Sequence, residues 1–235
     1  MAARQPGLAE LPGEIAIFPL PGALLLPGGR LPLNIFEPRY LAMVDDALGA
    51  GRHFGMIQPE PEAPAGPAGP RTYRVGCLGR IASFSETEDG RHLITLAGVT
   101  RFRIAEELPM QHGYRRVRAD YAGFADDLAP DAASAEVDQA QLLAALRPFF
   151  RARQIDANWE AIERTEPAML VLSLSMICPF AVPEKQALLE APSPAERART
   201  LIALLQMGAH DLDPADLPAC LLYTSDAADD TPCVD

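Results

Sequence analysis

Lysine is nearly absent. Of the 20 basic residues, Lys185 alone is a lysine. A Walker A loop needs a lysine directly after its glycines to reach the terminal phosphates of a nucleotide. Lys185 sits in AVPEKQALLE, which has no glycine, so P-loop ATP hydrolysis is excluded. A Ser–Lys hydrolase would have to use the same residue, and a lone lysine on a polar helix face reads as a solvated charge. Cysteine is scarce as well, with four in 235 residues. Cys77 and Cys178 stand about a hundred residues apart, which gives neither a metal signature nor a disulfide framework. Each has apolar neighbours, the setting of an inert buried thiol, and burial raises a thiol pKa, the wrong direction for a nucleophile. His53, His92, His112 and His210 show no zinc-ligand spacing, so neither metal nor cofactor is expected. Long apolar runs are missing too. Residues 168–182 are broken by Ser173, Ser175 and Pro179 and fall short of the about 18 apolar residues of a membrane span. The N-terminus carries Pro6, Glu10, Pro12 and Glu14 and no apolar signal region. The expectation is a cytoplasmic protein with no membrane partner.

Acidic residues outnumber basic ones, 32 against 20, for a net charge of −12. Dedicated nucleic-acid binders present a basic face, so nucleic acid is not the expected partner. Apolar residues make up 49% of the chain, enough for the core of one large domain or two small ones. After a flexible stretch over residues 1–13, residues 14–121 read as β-rich. Apolar runs at 14–18, 24–26 and 33–36 are bounded by Pro19, Pro21, Pro27 and glycines, as strands are. Pro38 opens a helix at the position proline tolerates best, and Gly49 and Gly51 end it. A strand at 53–58 follows. Residues 59–70, PEPEAPAGPAGP, hold five prolines and two glycines in twelve positions, which cannot join a ladder and make a mobile surface loop. Strands at 73–85 and 93–98 flank the hairpin signal Asp89-Gly90, and further strands lie at 101–106 and 115–121. Many short strands with tight turns predict a small, partly closed β-barrel.

The texture changes at residue 122. An acidic linker over 122–133 leads into a helical half, 134–210. Helices are predicted over 134–153, which Pro148 should kink, and over 156–165, 168–178 and 183–190. A last one follows Ser193-Pro194-Ala195-Glu196, which combines an N-cap, a first-turn proline and a capping-box glutamate. The 168–178 helix is apolar nearly all round, as a helix central to a bundle is. The fold class is α+β, a β-barrel followed by a helical bundle.

Residues 211–235 are expected to form a disordered tail. Within it CLLYTSDAADDTPCVD, residues 220–235, resembles a translated sequencing-library adaptor: the eleven residues from Cys220 to Asp230 follow one frame of a transposase-end sequence in register. Asp226, Asp229, Asp230 and Asp235 belong to this segment, and without those four acids the net charge is −8.

Three blocks carry a family resemblance. PLPGALLLPGGRLPLNIFEPRYLAMVDDAL, with Ile35, Phe36, Glu37, Pro38, Arg39 and Tyr40 as its core string, resembles the opening of the Lon protease N-terminal domain family. VGCLGRIASFSETEDGRHLITLAGVTRFRI resembles that family's paired strands. EKQALLEAPSPAERARTLIALL resembles its K-Q-x-L-L-E helix and the helix behind it, which places Lys185 in a non-catalytic part. The resemblance covers residues 14–207. It implies a PUA-like β-barrel followed by a helical bundle, with no catalytic residue and no cofactor. It also implies a polypeptide-binding module that captures unfolded or apolar-rich chains, with a protease or chaperone as partner. DLDPADLP after the last helix favours a stand-alone Lon-domain protein. The alternatives are the N-terminal fragment of a full-length ATP-dependent Lon protease and a PUA-like RNA-binding protein.

Leu24, Leu25 and Leu26, between prolines, read either as an edge strand to which an extended peptide adds or as leucines turned alternately into the barrel. Glu37 and Arg39 are the most site-like pair of IFEPRY. With Phe36, Pro38 and Tyr40 they are read as structural, Glu37 standing at the positive end of a helix. Arg101, Arg103, Arg115, Arg116 and Arg118 form either an RNA patch or a solvated face balanced by Glu106, Glu107 and Asp120. Phe102 and Tyr121 fall on the inward parity, which leaves no stacking platform for bases.

Overall fold

The computed structural model describes residues 7–129 and 137–209, except 63, 65, 67 and 68. The predicted tail, His210, the adaptor-like segment and residues 130–133 of the predicted linker lie outside the described residues. Six strands form one sheet: β1 (Glu14–Pro19), β2 (Arg30–Ile35), β3 (His53–Ile57), β4 (Val75–Glu86), β5 (His92–Gln111) and β6 (Tyr114–Asp120). Their order is β2-β5-β4-β3-β1-β6, and β6 pairs again with β5. The strands β5, β4, β3, β1 and β6 therefore close into a ring, and β2 stands outside it as an edge. β1 and β3 run parallel, with Ile17 opposite Gly55. A parallel pair needs a crossover, and helix α1 (Pro38–Gly49) lies in it.

The ring is filled by Ile15, Ile17, Ile57, Leu78, Phe102, Ile104, Val117 and Tyr121. Phe102 sets its bore. A methyl on Gly55 or on Gly76 would lie 2.7 Å from its ring, so both neighbours must be glycine. Outside the ring, α2 (Gln139–Ala152), α3 (Trp159–Arg164), α4 (Pro167–Ile177), α5 (Val182–Glu190) and α6 (Pro194–Gly208) pack onto its wall. Four of the five starts follow from side-chain caps: Asp138, Asn158, Glu166 and Ser193 each accept a backbone N–H of the first turn. A second core runs without interruption from Phe18, Leu25, Val75 and Ile81 on the ring side to Leu146, Leu174, Leu188 and Leu201 on the helices.

Buried polar groups lock this joint. The Arg101 side chain, on β5, is 6% exposed. Its Nε donates to Asp127 Oδ2 at 2.9 Å and its Nη2 to Asp127 Oδ1 at 2.8 Å. Its Nη1 donates to Ala191 O at 2.7 Å and Leu189 O at 3.2 Å, at the end of α5. Asp127 lies in a 3-10 segment, Ala122–Leu128. The first part of the predicted linker is thus docked on the ring rather than free.

Two further expectations change. The predicted strand at 24–26 is irregular backbone, and Leu24, Leu25 and Leu26 are no more than 2% exposed, in the core between ring and helices. A strand sends alternate side chains to opposite faces, so three successive inward leucines require a non-strand path. These leucines offer no peptide edge. The exposed edge is β2, which pairs with β5 alone among the described strands and carries Pro32 opposite Thr95. The strands predicted at 93–98 and 101–106 are one strand, β5, serving β2 with its first half and β6 with its second. It passes beneath the leucine segment at Gly98, where a Cβ would collide with Leu26 O. The Pro-rich loop is laddered at its base, with Pro59 opposite Thr72 and Glu60 N donating to Arg71 O at 2.8 Å.

Breaking a buried ion pair from one side costs about 3–5 kcal/mol. Asp127→Ala is expected to lose that much in urea unfolding. The double variant Arg101→Leu/Asp127→Leu is expected to lose less than the sum of the two single changes. Additive losses would show that the pair is not coupled.

Candidate functional site

Helix α5 docks through its polar side chains. Lys185 is buried, and its Nζ donates to Gly22 O at 2.6 Å and Met176 O at 3.4 Å. Met176 O belongs to the last turn of α4, where unpaired carbonyls carry partial negative charge. Burial pushes the ammonium below the usual lysine value. Gln186 Nε2 donates to Val75 O at 3.1 Å, and Arg197 Nε donates to Leu188 O at 3.0 Å. The only lysine of the chain is therefore a tie between α4, α5 and the segment before β2.

That tie fixes α4 at the molecular surface. Its inner face buries Leu170, Val171, Leu174 and Ser175. Its outer face carries Met169, Leu172, Ser173, Met176 and Ile177, spaced as neighbours on one helical stripe. Met169 is 51% exposed and Ile177 65% exposed. The expected central helix is instead a boundary helix with one apolar face on the core and another towards solvent. The turn Pro27-Gly28-Gly29 abuts the outer face. A Cβ on Gly28, whose φ is +80°, would stand 3.8 Å from Leu172 Cδ2, and one on Gly29 would collide with Met176 Sδ. The turn is held by Gly28 N donating to Gly98 O at 3.0 Å and Gly98 N donating to Gly29 O at 2.9 Å. It runs directly into the edge strand β2. The result is an apolar strip with pliant methionine side chains, beside an exposed sheet edge. Sequence reasoning missed this strip. Its signal is the all-round apolarity of 168–178, which from sequence alone reads as burial.

The IFEPRY residues hold the turn into α1. Pro38 is the first helical residue and Glu37 occupies the N-cap position without a side-chain capping bond. Its Oε2 accepts from Arg39 Nε at 3.0 Å and Nη2 at 2.8 Å. The Arg39 guanidinium lies 4.5 Å over the Tyr40 ring, and Tyr40, buried, stacks on Phe18 at 4.2 Å. Phe36 is exposed. Three arginines of the ring wall are matched by carboxylates: Arg116 with Glu14 at 2.9 Å, Arg118 with Glu106 at 2.8 Å, and Arg115 with Glu107, while Arg103 stands exposed on β5. Cys77 and Cys178 are free and buried, and burial raises the Cys178 thiol to about 12. Among the described residues no group of three or more His, Cys, Asp and Glu is placed to hold a metal ion, and no helix is long and apolar enough to cross a membrane.

A sheet closed into a ring, a helical layer docked on its wall and a boundary helix that exposes Met169 and Ile177 define a small α+β domain. Residues 14–207 match the family described as the ATP-dependent protease La (LON) substrate-binding domain, and the chain belongs to that family. A Lon protease of Anaeromyxobacter dehalogenans is 23% identical over 201 residues, covering 83% of this chain and 23% of that protein. Lon protease 2 of Myxococcus xanthus is 26% identical over 118 residues, covering 49% of this chain and 14% of that protein. The chain thus spans less than a quarter of the length of these relatives. The crystal structure of a Lon N-terminal domain protein from Xanthomonas campestris superposes with a TM-score of 0.56 at 25% identity, covering 81% of this chain and 97% of that one. The N-terminal domain of Mycobacterium avium complex Lon protease shares the fold, with a TM-score of 0.57 at 17% identity, covering 82% of this chain and 97% of that one.

The buried titratable groups set an alkaline dependence of stability. Cys178 keeps its proton to about 12 when folded, against an ordinary value of 9.0. Above the ordinary value the unfolded chain therefore binds fewer protons, and stability falls as pH rises. Lys185 acts in the opposite sense. Its folded value lies below the ordinary 10.5, so in the window beneath 10.5 the unfolded chain binds more protons and stability rises with pH. Urea melts taken from neutral pH upwards should show a steeper alkaline loss for Lys185→Met than for the wild type, and a shallower one for Cys178→Ala. Parallel slopes for the wild type and Lys185→Met would show that the ammonium is not desolvated.

Proposed function

We propose that this chain is a non-catalytic polypeptide-binding module that takes unfolded, apolar-rich chains on the outer face of α4. One observation carries the reading. In a domain of a substrate-binding family, Met169 and Ile177 stand exposed on α4, with Leu172 and Met176 half-buried between them, on a helix whose opposite face is packed. Methionine and branched aliphatic side chains suit varied partners, because flexible thioethers repack around different shapes. Three features support a purely binding role: the lone lysine engages backbone carbonyls, Cys77 and Cys178 are buried, and Arg115, Arg116 and Arg118 of the ring wall are matched by carboxylates. Unfolding and cleavage belong to a partner ATPase and protease, in the cytoplasm. Reading the source gene past the codon for Ala219 tests whether that machinery is separate, as we propose, or follows in the same polypeptide.

The contact is tested by titrating a reduced, unfolded model protein and a single-stranded RNA at two salt concentrations. Apolar contact predicts binding to the unfolded protein with little salt dependence. RNA binding through phosphates would weaken steeply with salt. The double variant Met169→Glu/Ile177→Lys places each new charge at the helix end whose dipole favours it, so its melting temperature should hold. Its affinity for the unfolded protein should drop about tenfold or more. Unchanged affinity, or salt-sensitive RNA binding without polypeptide binding, would sink the proposal.

A further inference from the structure

Where the ring ends, β2, the first half of β5 and the second half of β4 run on as a three-stranded flap. Its register places Arg30, Ala97 and Arg80 side by side in one row, and Asn34, Leu93 and Ser85 in another. Side chains of one row share a face, and successive residues along a strand alternate between faces. The row next to the arginines, Leu31, Leu96 and Ile81, turns into the core between ring and helices. The opposite face therefore carries Arg30, Arg80, Asn34, Leu93 and Ser85. All five are exposed, so no described element covers this side of the flap.

The rows of this face hold cations and no acid. Arg116 and Arg118 on the ring wall are each paired with a carboxylate, whereas among the described residues no carboxylate pairs with Arg30 or Arg80. Two steps across a sheet separate backbones by about 10 Å, and between the two arginines the floor is the small side chain of Ala97. The field of Arg80 reaches His53, opposite it on β3, whose pKa is pressed downwards by burial and then by Arg80. Arg52 adds a third exposed guanidinium at the adjoining corner, where its carbonyl accepts Ile81 N at 2.8 Å. In a chain of net charge −12, an acid-free face of this kind is complementary to an anionic partner. Guanidinium forks match carboxylates in bidentate geometry. The rest of the face selects a polypeptide over a nucleic acid. Asn34 and Ser85 offer neutral hydrogen-bonding groups and Leu93, 44% exposed, an apolar one, while neither row holds an aromatic side chain on which a base could stack. Glu86 and Glu88 of the adjoining hairpin, both exposed, would repel a longer polyanion.

We infer that this open sheet face docks an acidic polypeptide segment, with carboxylates seated on Arg30 and Arg80 and an apolar side chain on Leu93. The face shares no residue with the contact proposed on α4. Titration calorimetry on the full chain tests it with three probes: a short peptide of glutamate, leucine and serine, the same peptide with glutamine for every glutamate, and a single-stranded RNA of similar length. Saturable binding of the glutamate peptide is expected, weakening as salt screens the charges, with no saturable binding of the glutamine peptide. Arg30→Gln/Arg80→Gln, at two exposed positions, should weaken the glutamate peptide about tenfold or more with an unchanged melting temperature. Leu93→Glu, which brings a carboxylate onto the same face, should weaken it as well. Met169→Glu/Ile177→Lys should leave it unchanged, which separates this face from the one on α4. Absence of saturable binding of the glutamate peptide, equal binding by the wild type and Arg30→Gln/Arg80→Gln, or tighter binding of the RNA than of the peptide overturns the inference.

Discussion

The structure turns on one buried guanidinium. Arg101 projects from the ring wall into the seam between sheet and helices, and it satisfies the Asp127 carboxylate and two carbonyls at the end of α5 together. An apolar side chain there would pack, but it would leave Leu189 O and Ala191 O without this donor. Arg197 enters the same region, with Nε on Leu188 O. Burial above all, and then the like charge of Arg101, press its pKa downwards, while Asp127 opposes them. Asp127 is thus the counter-ion of Arg101, and the 3-10 segment that carries it is a structural part rather than a spacer. Apolar packing brings ring and helices together without direction. These polar bonds choose one docking geometry from the many that such packing allows.

That geometry was partly readable from residue order. Ser193 and Pro194 announced the start of α6, Pro38 that of α1, and the shift from strands to helices after residue 120 followed from the composition. Elsewhere the sequence misled for identifiable reasons. Leu24, Leu25 and Leu26 look like a strand because their neighbours are prolines, yet all three are buried, and no pattern of period two can reveal that. Gly98 looks like a break in β5 but is a point of close approach to Leu26. The face of α4 was hidden by its own character: apolar residues on both sides of a helix mean burial in most proteins, and only the packed structure shows which side remains open.

Lys185 connects these two misreadings. It ties Gly22 O, ahead of the leucine segment, to Met176 O at the end of α4. Irregular backbone and exposed helix are therefore clamped together from behind, by a residue that faces neither solvent nor partner. A surface that takes varied partners, as proposed for α4, gains from such support. The side chains of Met169 and Met176 can adapt while the helix that carries them stays fixed.

Pro32 has a consequence of another kind. It sits mid-way along β2, on the one strand that borders no second neighbour among the described residues, and it has no N–H to offer. If the domain binds unfolded chains as proposed, it meets many segments able to extend a sheet. An unbroken row of donors would let such segments grow onto the domain, strand upon strand, until holder and held became one aggregate. The gap at Pro32 interrupts that growth at its first step. A segment that reaches this edge meets the missing donor before it can seed a further strand.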